Sequence, residues 1–256
     1  MDFTLKSYNS LLYSLQQQKF PILSFRDFMH SPLDKTIILR HDVDRLPQNS
    51  LDTARIEKNL NITGSYYFRI VQQSYGASVI KQIAELGHEI GYHYEDLTLA
   101  KGDIDKAYDA FCRHLETLRK LYPVKTICMH GSPMSKWDNR LIWQKYDYRK
   151  LGIIGEPYFD IDFTKVLYLT DTGRRWDGDD VNIRDKILSE KYLIPLHKNH
   201  STFDLIKAIE TEQIPIQVML TIHPQRWNDR VLPWVKEFIW QNIKNQFKRI
   251  VVNSQV

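Results

Sequence analysis

Thr36-Ile37-Ile38-Leu39-Arg40-His41-Asp42-Val43-Asp44 is the stretch on which the fold turns. Its first four residues are a short, β-branched, apolar run of the kind that fills a buried strand, and it breaks directly into ionisable residues. Upstream, Leu5, Tyr8, Leu11, Leu12 and Leu15 share one face of a helix predicted over Phe3 to Lys19. Downstream, Ser50 to Leu60 reads as helix and Ser65 to Phe68 as strand. Ser78 to Leu86 reads as helix closed by Gly87, and Glu89 to Tyr92 as strand. Ile104, Ala107, Phe111, Leu115, Leu118 and Leu121 then form a helical stripe that Pro123 ends. Thr126 to Met129, Leu151 to Ile154, Val166 to Leu169 and Ile216 to Ile222 are predicted strands. Ile183 to Ser189 and Phe203 to Glu210 are predicted helices, and Pro233 to Phe247 a closing helix with Pro233 in its first turn. About seven strand–helix units, without a linker or repeat, predict a parallel sheet closed into one α/β barrel domain over residues 1–256.

Composition agrees with a globular enzyme-sized chain. Of 256 residues, 43% are hydrophobic and 26% charged, enough apolar material for an ordinary core. The net charge of +4 comes from scattered basic residues and gives no nucleic-acid-binding patch. Cys112 and Cys128 fall within a helical and a strand pattern and read as buried free thiols. Met1 to Phe20 lacks the cationic start and apolar stretch of a signal peptide, and no run is long enough to span a membrane. The expected location is the cytoplasm.

Chemistry collects where strands end. TIILR runs into His41, Asp42 and Asp44; HEIGY into His93, Glu95 and Asp96; TICM into His130; VLYLT into Asp171; MLTI into His223. In a parallel barrel the C-terminal strand ends share one face, so residues distant in sequence converge there. Converging imidazoles and carboxylates suit a divalent metal such as zinc, which takes nitrogen and oxygen ligands. Two carboxylates one residue apart, Asp42 and Asp44, suit a division between proton acceptor and metal ligand. Taken alone, D-x-D also fits a glycosyltransferase binding a metal–diphosphate, or a solvated loop.

In combination these segments resemble the polysaccharide deacetylase family, carbohydrate esterases that remove acetyl groups from chitin, peptidoglycan and similar glycans. Leu39 to Asp44 is similar to the family's first motif, in the His-Asp-Val-Asp form of a branch associated with surface-polysaccharide biosynthesis. Gly87-His88-Glu89-Ile90-Gly91-Tyr92-His93 resembles the second motif, and Leu220 to His223 the late L-x-H motif. The resemblance implies that Asp42 is the catalytic base, Asp44 and His93 are metal ligands, and His223 is the general acid. His88 would be a context residue.

Two positions depart from the family pattern. Leu97 stands where a second metal histidine is expected, and Met129-His130-Gly131-Ser132-Pro133 stands where an arginine normally orients the base. His130 from the neighbouring strand end is one replacement ligand and Glu95 the other. A chain that binds no metal would instead be a non-catalytic carbohydrate-binding relative. Trp137, Asp171, Arg174, Arg175, Trp176, Arg226 and Trp227 are expected to line a sugar pocket, with Glu156 to Asp160 as a further wall. His197 and His200 read as loop residues. The expected reaction is metal-dependent removal of an acetyl or similar acyl group from an amino sugar or glycan precursor.

Overall fold

The computed structural model of the chain describes residues 1–131, 135–176 and 200–253, with side chains up to residue 246. The helix expected over residues 183–189, His197, and Ser132 and Pro133 of the third motif lie outside the described residues.

Along the chain run α1 (Leu5–Gln17), β1 (Ile22–Leu23), α2 (Phe25–His30), β2 (Thr36–Val43), α3 (Pro47–Asn59), β3 (Ser65–Phe68), α4 (Ala77–Glu85) and β4 (Glu89–Tyr94). They continue with α5 (Asp96–Leu99), α6 (Ile104–Arg119), β5 (Ile127–Met129), α7 (Pro157–Asp160), β6 (Leu167–Thr170), α8 (Thr202–Glu210), β7 (Gln217–Ile222) and α9 (Val231–Asn253). The described strands form one all-parallel sheet in the order β5-β4-β3-β2-β7-β6, with β1 beside the start of β2. Beyond β5 the pairing shrinks to a single bridge between Thr126 and Gly155. The result is a half-barrel, open between β5 and β6 among the described residues. The strand expected over Leu151 to Ile154 does not form: a 3-10 turn, Tyr148–Leu151, ends at Gly152, whose left-handed conformation breaks extension. Short helical pieces such as α2 and a 3-10 segment, Asn139–Gln144, are absent from the sequence reading because they are too brief to show a helical period.

Side-chain alternation divides the molecule into an outer and an inner layer. Val43, Tyr66, Phe68, Ile90, Tyr92 and Ile127 face outward into one cluster packed under helices. Ile37, Leu39, Leu167, Leu169, Val218, Leu220 and Ile222 face outward into a second. Ile38, Tyr67, Cys128 and Met219 face inward, where Phe25 and Phe28 of α2 pack among them. Cys128 is buried as expected, whereas Cys112 is only half-buried, at the edge of its helix's apolar stripe. The backbone N–H of Phe25 donates to Ser65 Oγ at 2.7 Å, and that of Arg26 to Glu89 Oε2 at 2.9 Å. So α2 plugs the end of the barrel where β3 and β4 begin. The opposite end, where the strands finish, is left for chemistry. Both faces of β2 are buried, as befits a strand with helices on one side and the barrel interior on the other.

Candidate metal centre and active site

Register explains which side chains meet. Asp42 pairs with Tyr67 and Tyr67 with Gly91, so Asp44, two residues beyond Asp42, rises to the level of His93, two beyond Gly91. His93 pairs with Cys128, and His130 lies two residues further on the same face. On the other side Arg40 pairs with Thr221, which brings His223 level with Asp42.

At this end of the barrel, Asp44 Oδ1 lies 3.6 Å from His93 Nε2 and 3.4 Å from His130 Nε2. The two imidazoles stand edge to face with centroids 5.0 Å apart. Asp44 Oδ1 is buried without a hydrogen-bond partner, while Oδ2 accepts from Gln225 Nε2 at 3.0 Å. Both histidines have their other nitrogen committed: His93 Nδ1 donates to Cys128 O and His130 Nδ1 to Glu95 Oε2, each at 3.0 Å. Their Nε2 lone pairs therefore face Asp44. Ligand atoms about 2.0–2.1 Å from a tetrahedral zinc lie roughly 3.3–3.4 Å from one another, close to the separations here. The orphaned carboxylate oxygen, the fixed tautomers and the mixed nitrogen–oxygen donor set together fit a divalent metal.

Glu95 thus partners His130. Arg69 holds its Oε1 through Nε at 2.8 Å and Nη2 at 2.5 Å, and donates from Nη1 to Asp44 O at 3.1 Å. Burial pushes the Glu95 carboxyl up, but His130 and Arg69 outweigh burial and bring it down to about 2. Leu97 lies on α5 inside the outer hydrophobic cluster, so that position does not face the centre.

Asp42 sits beside the cluster, its Oδ2 3.7 Å from His93 Nε2. Arg40 grips it with two parallel bonds, Nε to Oδ1 at 2.8 Å and Nη2 to Oδ2 at 2.6 Å. Burial works against the Asp42 charge, yet Arg40 and His93 hold its carboxyl below the ordinary range. Arg40 thus holds the Asp42 carboxylate from two residues back on the same strand. It was legible in principle, because residues two apart on a strand share a face. Arg69 also went unassigned, although it directly follows β3 and the strand-end rule would have found it.

Across the opening, His223 Nε2 lies 3.9 Å from Asp44 Oδ2. His223 Nδ1 donates to Asp171 Oδ1 at 2.6 Å, and Asp171 Oδ2 accepts from the His223 backbone at 2.9 Å and from Trp227 Nε1 at 2.7 Å. Arg226 donates to Asp171 as well. Burial raises the Asp171 carboxyl, but Arg226 and His223 hold it below the usual range.

Several residues expected around a sugar lie elsewhere. Asp171 is fully buried and serves His223. Trp227, 1% exposed, packs against Phe3 and Tyr8, and Trp176 joins the same cluster, so neither offers a face to a ligand. Arg174 is buried over Phe3 and Trp234 and donates to Arg226 O at 3.2 Å. Arg226 is buried on Asp171. Trp137 is half-buried and covers Gly102, where a side chain would meet its ring. Arg175 is half-buried, and His200 is an exposed loop residue as expected. Of the Glu156 to Asp160 wall, Tyr158 does approach the interior, its ring 5.6 Å from the Arg40 guanidinium.

His41 and His88 point to the outer side of the sheet. Glu57 Oε1 accepts from Tyr8 at 2.7 Å and Tyr66 at 2.6 Å, and lies 3.0 Å from His41 Nε2. His88 Nδ1 accepts from the Gly64 N–H at 3.1 Å, so its Nε2 donates to Ala54 O. These two imidazoles hold α3 to the sheet.

No family model matches the chain, and no curated protein does. Among the described residues no helix is long and apolar enough to cross a membrane. Among solved structures the chain is similar to Bacillus subtilis PdaA, a family 4 carbohydrate esterase, with 14% identity and a TM-score of 0.40 over 91% of this chain and 83% of that one.

Proposed function

We propose that the chain is a metal-dependent hydrolase that removes an acetyl or similar acyl group from an amino sugar or glycan precursor. The observation that carries this reading is the placement of an Asp44–His93–His130 cluster between two differently supported proton-transfer groups, Asp42 on Arg40 and His223 on Asp171. Asp44, His93 and His130 would hold the metal. A divalent ion there, zinc by its affinity for imidazole with carboxylate, would supply a Lewis acid for the acyl carbonyl and for water.

The protein's own groups divide the proton work. Asp42 is kept ionised by Arg40 and accepts the proton of the attacking water. Asp171 accepts the Nδ1 hydrogen of His223, and the doubly protonated imidazolium then has an Nε2–H that passes its proton to the departing amine. A D-x-D glycosyltransferase would leave both imidazoles and the His223–Asp171 pair without a task. The two free cysteines suit a cytoplasmic protein acting on a precursor.

The test is acetate release from N-acetylated amino sugars and their oligomers by protein stripped with chelator and reloaded with zinc. Release should require the metal and vanish in His93→Ala. Retention of metal without acyl release from any such substrate would leave a binding protein, and retention by His93→Ala would place the metal elsewhere.

A further inference from the structure

Helix α9 turns a polar face to the protein, and that face is anchored at the chemical end of the barrel. Glu237 and Gln241 are buried there, one turn apart. Glu237 pairs with Arg45, the residue after Asp44, and accepts from Gln241 Nε2 at 2.7 Å. Further along the helix, Asn245 Nδ2 donates to Gly173 O at 3.0 Å. Arg45 follows β2 and Gly173 follows β6, and β7 runs between those two strands. From Glu237 to Asn245 the helix rises about 12 Å, against about 10 Å for two strand spacings. So α9 crosses the rim at the end of β7, from which His223 and Arg226 follow.

Lys244 comes two turns after Glu237, on the same side of α9. It is half-buried, its ammonium 5.1 Å from the Trp240 ring. The neighbouring cations have their own acids: Arg45 has Glu237, and Arg226 has Asp171. Both Glu237 oxygens are taken, by Arg45 and by Gln241. Among the described residues Lys244 forms no ion pair. Burial and Arg45 hold its ammonium below the ordinary lysine range, and Arg226 adds to them against the pull of Glu237 and Asp44. A divalent ion on Asp44 would more than offset that carboxylate. A cation half out of water, beside guanidiniums and without a carboxylate of its own, is stabilised by taking up an anion.

We propose that this rim is a subsite for an anionic group of the substrate, a phosphate or a carboxylate, with Lys244 as its partner. The substrate class is then an acidic acylated amino sugar, which rests on the hydrolase reading for the acyl end. A neutral glycan would leave Lys244 unpaired.

The experiment is calorimetric titration of the zinc-loaded full chain with deacylated sugars, which bind without turnover. The probes are glucosamine, its 1-phosphate and 6-phosphate, and muramic acid. At least one anionic probe should bind roughly tenfold tighter than glucosamine, as expected for a charge-assisted hydrogen bond. A gain for the phosphates assigns the group as phosphate, and a gain for muramic acid alone assigns it as carboxylate. Lys244→Met should remove the gain and leave glucosamine binding unchanged, while Lys244→Arg should keep part of it. Unchanged melting temperatures will show that both variants fold. Equal affinity for all four probes overturns the proposal, as does a gain that survives in Lys244→Met. Binding is read apart from turnover, so an anion preference without acetate release from the acylated sugars would sink only the hydrolase reading. Acetate release that ignores both the anion and Lys244 would sink only this one.

Discussion

Glu95 and Asp171 perform the same act on different histidines, each fixing an Nδ1 hydrogen. Their substitutions should nevertheless separate. His130 turns Nε2 toward Asp44, so Glu95→Gln should weaken metal retention roughly 10–100-fold, the range for lost partners of metal ligands. Competition with a chromogenic chelator measures this. His223 stands outside the closest cluster, so Asp171→Asn should leave metal content unchanged. It should lower kcat by roughly 10²–10⁴, the contribution of a positioned acid, with little change in KM. Loss of metal in Asp171→Asn would instead make His223 a ligand.

At the scale of elements, Gly91 on β4 leaves the space that the ring of Tyr67, its partner on β3, occupies. A Cβ at that position would enter the Tyr67 ring and come within 3.1 Å of Thr126 O. The ring fills the barrel interior below the Asp44–His93–His130 cluster, with its hydroxyl 2.9 Å from Thr126 Oγ1. Gly91→Ala should therefore overpack the interior and cost about 1–3 kcal/mol in urea unfolding. Tyr67→Leu makes room, so the double variant should be less destabilised than the sum of the single ones. Additive losses would show that the ring is not what excludes a side chain at position 91.

For the whole molecule, pH acts through Glu156, buried at the end of the Gly155 bridge. Burial pushes its carboxyl up from 4.5 to about 7, although Met129 N–H donates to it at 2.9 Å and Arg40 lies near. Between those values the folded chain keeps a proton that the unfolded chain releases. This group's contribution to stability is therefore largest below pH 4.5 and falls as pH rises through 7. The full shift corresponds to about 3 kcal/mol. Urea midpoints measured from about pH 4.5 to 8 should show a shallower decline in Glu156→Gln than in the unaltered chain. Parallel profiles would mean that Glu156 titrates normally.

The alternation of short apolar runs with helical stripes, and the ionisable residues ending those runs, were readable from the order of residues alone, because period and strand polarity are local properties. They led to a parallel barrel, to a shared chemical face and to His130 beside His93. Other assignments depended on distance between strands. Nothing local distinguishes Glu95 beside Asp44 and His93 from Glu95 behind His130, or Asp171 on a sugar from Asp171 under His223, 52 residues later. Trp176 and Trp227 look like rim residues in sequence, yet the N-terminal segment folds over them and buries them around Phe3. Leu232, Val235, Ile239 and Ile243 look like a core stripe, yet α9 turns its polar side inward to reach Arg45 and Gly173. A residue's spacing determines which neighbours share its face, whereas sheet register and curvature decide what that face meets.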